Sequence, residues 1–207
     1  MRWLVLVPAA LLVAGLTGCG TTRDHLVQLE PLLGVHEFTG TTVPGGGPRT
    51  SIRGMTTQCF SPERDRLLIH YVQTDAFEDE GFAEIRWDEA GECYEMRWES
   101  TGQPGEALVS HGDFDADGRL ALRGAAPAEA LRPSAPGTES TRTPAEHIYT
   151  FSFPADGRFV LTIKSPAVDK FTFYEHFRLV AERKEGAPDP RAFAERFHAR
   201  RREALGT

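Results

Sequence analysis

The chain has 207 residues, and 30 acidic side chains outnumber 23 basic ones, which gives a formal net charge of −7. An acidic protein repels polyanions, so this composition argues against nucleic acid as a partner. The length suits one main domain, and the 10% aromatic content supplies enough large side chains for a hydrophobic core.

Residues 1–18 have the composition of a bacterial export signal. Arg2 precedes an apolar run from Trp3 to Leu16, which is shorter than the roughly 20 residues that span a bilayer. The run ends in Leu-Thr-Gly-Cys, which closely resembles the lipobox of bacterial lipoprotein precursors and ends at Cys19. The resemblance implies diacylglycerol on the cysteine sulfur, cleavage before this residue and acylation of the new amine. Two or more acyl chains anchor a protein stably to a membrane.

Two alternatives to a lipoprotein signal stay open: a plain secretory signal with an incidental cysteine, and an uncleaved anchor, which the short apolar run disfavours. Gly20 follows the cysteine, whereas an aspartate there suggests inner-membrane retention in many bacteria. We therefore expect a protein of the cell envelope that is anchored in the outer membrane and faces the periplasm, with residues 19–24 as a short tether. Without residues 1–18, which hold one basic and no acidic side chain, 22 basic side chains face 30 acidic ones, a net charge of −8.

Downstream of the tether, a short helical segment gives way to strands. Residues 21–30 predict a helix that Pro31 would end, because their apolar side chains recur at helical spacing. From Leu32 onward, apolar and polar residues alternate, and turns rich in Gly and Asp separate the alternating segments. The pattern predicts ten strands, at residues 34–40, 49–60, 66–73, 81–88, 92–99, 106–115, 119–124, 146–153, 158–164 and 170–181. Ten short strands joined by tight turns favour an all-β fold. We expect the strands to form a closed antiparallel barrel, because closure removes exposed sheet edges.

One long segment interrupts the predicted barrel domain, which covers residues 25–183. Residues 125–145 are rich in Ala, Pro, Ser, Thr and Gly and lack apolar periodicity, so we expect a flexible loop insertion. Strands resume after it, which argues against a linker between two domains.

The final segment, residues 184–207, predicts a helical extension. Asp189 is suited to cap a helix that has Pro190 at its first position and continues to about Ala204. Its two phenylalanines lie four residues apart on one side, and arginines make the rest basic. The pattern favours packing of the phenylalanines against the barrel over contact with a membrane or an acidic partner.

Several short motifs follow one another in a characteristic order. They are a leucine run that ends in Leu32-Leu33-Gly34, then Phe38-Thr39-Gly40, Ser51-Ile52-Arg53-Gly54, Tyr94 to Trp98, and Gly112 to Arg119. Their order and spacing resemble the DUF1579 family of uncharacterised bacterial proteins over roughly residues 25–183, apart from the long loop. The resemblance implies a calycin-like, lipocalin-like barrel and brings no established activity or catalytic residues. Where the family usually has Gly-x-Trp, this chain has Gly34-Val35-His36, so we expect that end of the barrel to differ.

The sequence favours ligand binding over catalysis. It contains no Gly-x-Ser-x-Gly and no HExxH motif, so we lean away from an enzyme and expect no cofactor. Barrels of about eight or more strands can hold one small apolar ligand. The leading hypothesis is therefore a ligand-binding or carrier lipoprotein with an interior lined by phenylalanines, Tyr94, Trp87 and Trp98. The alternative is a structural or interaction lipoprotein without a ligand.

Two residues of the last strand are further candidates for the ligand site. Strict alternation places Glu175 on an apolar row, where a desolvated carboxylate needs a partner such as Arg53 or Arg86, unless a bulge turns it to solvent. Such a pair would bind a polar ligand group or only specify the fold. The neighbouring His176 resembles the histidine that haem-binding barrels of the nitrobindin type carry near their C-terminal end. Its alternation with Phe177 favours an outward-facing surface histidine over a haem ligand.

Two further patterns have simple structural explanations. Cys59 and Cys93 are expected on non-adjacent strands, which disfavours a disulfide without excluding one. The triad at Asp113, Asp115 and Asp117 matches the first half of an EF-hand calcium loop. The twelfth position is a glycine instead of the required glutamate, so a hairpin turn is the preferred interpretation.

Overall fold

The computed structural model describes residues 21–43, 48–75, 78–126, 145–154, 156–166 and 173–206. The predicted export signal, the lipidation site at Cys19 and nearly all of the expected loop at 125–145 lie outside the described residues.

All ten predicted strands are present, and their bounds differ from the prediction by only a few residues. They are β1 (Gly34–Thr42), β2 (Thr50–Phe60), β3 (Arg66–Gln73), β4 (Asp79–Asp88), β5 (Cys93–Ser100), β6 (Gln103–Phe114), β7 (Leu120–Ala126), β8 (Ala145–Ser152), β9 (Arg158–Pro166) and β10 (Phe173–Glu185). Each strand pairs antiparallel with its neighbours in sequence, and β10 pairs with β1. The sheet is therefore a closed barrel without an exposed edge.

The N-terminal segment closes one end of the barrel, which we call the closed end. It consists of α1 (Thr22–Leu26) and a 3-10 helix (Val27–Leu32), and its three leucines at 26, 29 and 32 are buried in the core. The Tyr94 hydroxyl donates to the backbone oxygen of His25 (2.6 Å), and the His25 ring stacks on Trp87 with 3.5 Å between centroids. Pro31 lies inside the 3-10 helix and does not end it, because leucine packing holds this short segment against the barrel.

The C-terminal helix, α2 (Pro190–Leu205), packs on the outside of the barrel. The Asp189 side chain caps it by accepting from the Ala192 amide (2.9 Å), and Gly206, with a φ of 70°, ends it. Phe193 and Phe197 are buried against outward-facing apolar side chains of β2, β3 and β4, namely Cys59, Leu68 and Phe82. The expected packing of the two phenylalanines against the barrel is confirmed.

Ion pairs connect the basic side of α2 to acidic side chains on the outer barrel face. Arg200 forms two hydrogen bonds with the carboxylate of Glu80 (2.8 and 2.7 Å), and Arg201 bonds to Glu84 (3.1 Å) and to Glu99. Part of the arginine-rich face of α2 is therefore paired with the barrel of the same chain.

Candidate ligand-binding site at the distal end of the barrel

The interior is packed differently at its two ends. Near the closed end, the inward-facing Leu67, Ile85 and Leu120 have 0% exposed surface. Toward the opposite end, here called the distal end, inward-facing large side chains keep some solvent contact. They pack against the core but are only half-buried, and they include Tyr71, Trp98, Ile163 and Phe177. Among the described residues, α1 and the 3-10 helix lie at the closed end and α2 lies on the outer face, so none of these three helices covers these side chains.

Three polar side chains meet inside the barrel on the wall formed by β8, β9 and β10. His147 and Ser165 are buried, and each shares the inward face of its strand with apolar core residues. The Ser165 hydroxyl lies 2.8 Å from Nδ1 of His147 and 2.9 Å from Nδ1 of His176. A hydroxyl carries one hydrogen, so it donates to one imidazole and accepts from the other.

A bulge in β10 turns His176 inward. Glu175 pairs with Lys164 and Phe177 pairs with Ile163, so His176 is the extra residue of a β-bulge. The expected outward orientation of His176 is therefore wrong, because one inserted residue reverses the alternation at this point.

Burial keeps the two imidazoles of this wall uncharged at neutral pH. It lowers the pKa of His147 to about 4, and the nearby His176 adds to this effect. Burial also lowers the pKa of His176. A neutral imidazole offers one donor and one acceptor nitrogen. Within the described part of the chain, Nε2 of His147 is buried without a hydrogen-bond partner.

An aromatic wall lies across the barrel, five strands away around the ring. The rings of Tyr71 and Trp98 are nearly parallel (10°), with 6.3 Å between centroids. The Tyr71 hydroxyl donates to the Asp79 carboxylate (2.6 Å), and burial together with this carboxylate raises the pKa of the phenol. Gly81 makes room for the phenol ring, because a Cβ atom at this position would lie only 2.0 Å from it.

Two of the three expected aromatic lining residues belong to the other end of the barrel. Trp98 faces the interior near the distal end, as expected. Trp87 and Tyr94 instead form the packed layer beneath α1, where their rings meet edge to face with 5.1 Å between centroids. Strand direction places them at the closed end, since β5 runs from Tyr94 toward the distal end at Trp98.

The expected pairing of Glu175 with an arginine inside the barrel is wrong. Arg53 is exposed on the outer surface, because the buried neighbours Ile52 and Gly54 take the inward positions of β2. Arg86 is also exposed and bonds to Glu95 on the outer face (3.0 Å). The β10 bulge leaves Glu175 half-buried beside the exposed Arg178, at 3.7 Å.

The histidine that replaces the expected tryptophan fills its place at the closed end. His36 has 0% exposed surface and meets the ring of Phe159 edge to face at 5.1 Å. The Gln58 amide donates to Nδ1 of His36 (3.0 Å) and to the backbone oxygen of Leu32 (3.2 Å), and it accepts from Thr56 (2.9 Å). This network ties the 3-10 helix to β1 and β2, so the barrel stays closed without the tryptophan.

The cysteine pair and the aspartate triad that stand out in the sequence have structural explanations. Cys59 and Cys93 lie on the non-adjacent strands β2 and β5 and form no disulfide. The Asp115 carboxylate accepts from the backbone amides of Asp117 (2.9 Å) and Arg119 (3.0 Å), which explains the aspartate triad as a hairpin turn.

Across the described ranges, no group of three or more His, Cys, Asp or Glu side chains is placed to hold a metal ion. The helices described here are too short or too polar to cross a membrane.

Comparison with known proteins supports the fold alone. No protein-family model matches the chain, and no curated protein matches it significantly. Among solved structures, it is similar to the crystal structure of Rv2717c from M. tuberculosis, with a TM-score of 0.52 and 17% sequence identity. The match covers 78% of this chain and 98% of that one. At this identity, the similarity establishes a shared barrel architecture and no shared function.

Proposed function

We propose that this protein is a lipid-anchored lipoprotein of the bacterial cell envelope whose barrel binds or carries a small apolar ligand at its distal end. The observation that carries the proposal is the set of inward-facing but half-buried side chains at this end, among them Trp98, Ile163 and Phe177. Apolar surface that stays in contact with water inside a barrel gains free energy when a ligand covers it.

The proposed anchor would place the closed end next to the membrane. Cys19 carries the lipobox pattern, and α1 begins three residues later at Thr22. Three residues reach about 10 Å when fully extended. The distal end would then face away from the anchoring membrane, toward the periplasm if the outer membrane is the anchoring one.

The binding proposal is tested with a form of the protein that starts at Gly20 and with N-phenyl-1-naphthylamine, an uncharged probe whose emission rises in apolar sites. We expect saturable binding to one site. Ile163→Trp adds bulk inside the barrel and should weaken binding at least tenfold. Lys164→Trp adds the same bulk on the exposed outer face of the same strand and should leave binding unchanged.

Thermal unfolding of both variants verifies that the barrel is intact. Absence of saturable binding by the parent protein, or equal binding by the two tryptophan variants, would contradict a ligand site at the distal end.

Haem is a second candidate ligand, favoured by the inward orientation of His176. Its imidazole is neutral near pH 7, the form that coordinates iron. Haem bound through this residue would give a Soret band that shifts on addition of the protein and that His176→Ala removes. An unshifted Soret band with the parent protein would argue against this candidate while leaving the apolar ligand open.

A further inference from the structure

We propose that the distal site selects an apolar ligand with one neutral hydrogen-bonding group, such as the hydroxyl of a long-chain alcohol, and that Nε2 of His147 binds this group. The inference rests on the proposed ligand-binding function and specifies the chemical class of the ligand. It concerns the end of the ligand that contacts the β8–β10 wall.

The first observation is an unsatisfied polar atom. The His147 side chain is 1% exposed, and its Nδ1 is taken by Ser165 at 2.8 Å. Its Nε2 is buried and has no partner among the described residues. Native proteins rarely keep such an atom unpaired, so its position on the inward face of β8 points to a polar group of a bound molecule.

The second observation is the hydrogen-bond chemistry of the cluster. The shared Ser165 hydroxyl lets His147 carry its hydrogen on either ring nitrogen, so Nε2 is a donor in one tautomer and an acceptor in the other. A ligand hydroxyl suits both states because it can donate and accept. A carbonyl oxygen suits only the tautomer with hydrogen on Nε2.

The third observation is the absence of a cation from the inward face described here. The basic side chains nearest the cluster in sequence, Lys164 and Arg178, are exposed on the outer face. Inward neighbours on the same strands are uncharged, such as Tyr149 and Ile163. A carboxylate buried among these groups would lose its hydration without a compensating charge. The site should therefore discriminate against fatty acids and in favour of alcohols with the same chain.

The chain offers a matched control for His147 at the other end of the barrel. His36 is equally buried, its Nδ1 is also bonded, and its Nε2 is also without a described partner. It lies beneath the 3-10 helix, within the fully packed layer. Replacing His36 by Phe removes the same kind of atom from the closed end.

The experiment measures displacement of N-phenyl-1-naphthylamine by 1-dodecanol and by dodecanoate at pH 7.5. We expect dodecanol to compete at a concentration at least tenfold below that required for dodecanoate. His147→Phe should reduce the affinity for dodecanol about tenfold and abolish the preference, while the probe still binds. His36→Phe should keep the preference.

The outcomes separate this inference from the proposed function. If the probe binds but dodecanoate competes as well as dodecanol, the inference is overturned and the apolar site remains. Retention of the full alcohol preference in His147→Phe would overturn the assignment to His147. If His147→Phe does not fold, the comparison of the two competitors on the parent protein still decides the ligand class.

Discussion

At the scale of single residues, the buried histidines make stability depend on pH. The pKa of His147 is about 4 in the folded protein, against an ordinary value of 6.5, and burial shifts the pKa of His36 in the same direction. Between these pH values, the unfolded chain binds a proton that the folded protein does not. The free energy of unfolding that His147 contributes is therefore complete above pH 6.5 and is lost as the pH falls toward 4, and His36 contributes with the same sign.

For His147 this loss amounts to about 2 kcal/mol between pH 7.5 and pH 4.5. Urea unfolding at both pH values should show a smaller decrease in stability for His147→Phe than for the parent protein. The exposed His198→Phe is the control, and it removes an imidazole without removing a buried one. If His147→Phe loses as much stability on acidification as the parent, burial of an uncharged imidazole at this site is refuted.

Alternation of residues identifies part of the candidate site, and a bulge conceals the rest. Trp98 follows the simple pattern of its strand, and the sequence also carries the signal for His147, which alternates with Tyr149 and Phe151. Glu175 and His176 exchange faces because one extra residue enters β10. No glycine or turn motif marks this insertion. The regular alternation of inward-facing and outward-facing residues along a strand therefore cannot locate it.

At the scale of elements, strand positions were predictable and the partners of their outer faces were not. Alternation and Gly-Asp turns are local signals, which is why all ten strands are found where the sequence predicts them. The run from Leu67 to Ile69 is apolar on both faces and indicates that something covers β3 from outside. The sequence also shows a helix with two phenylalanines. Their contact joins segments more than 100 residues apart, a pairing that local patterns do not encode.

The whole molecule combines a closed end near the proposed anchor with a distal end that carries the candidate site. With only two residues between Cys19 and α1, the proposed tether would be too short for the barrel to turn over freely. Strand β5 has eight residues and thus extends roughly 25 Å between the two ends before its tilt is considered. A ligand would therefore enter from the aqueous side and not directly from the anchoring leaflet.

This orientation predicts different distances from the lipid surface for the two ends. In the lipidated protein with Cys59→Ala and Cys93→Ala, a donor dye is placed by Ala90→Cys at the closed end or by Thr74→Cys at the distal end, both exposed positions. Energy transfer to rhodamine-labelled lipid headgroups in vesicles should be stronger from position 90. Cys19→Ala, which lacks the anchor, should abolish transfer from both. Equal transfer from the two positions, or stronger transfer from position 74, would contradict this orientation, because the distal end would then lie at least as close to the membrane as the closed end. Ligand entry from the leaflet would in that case replace entry from the aqueous side.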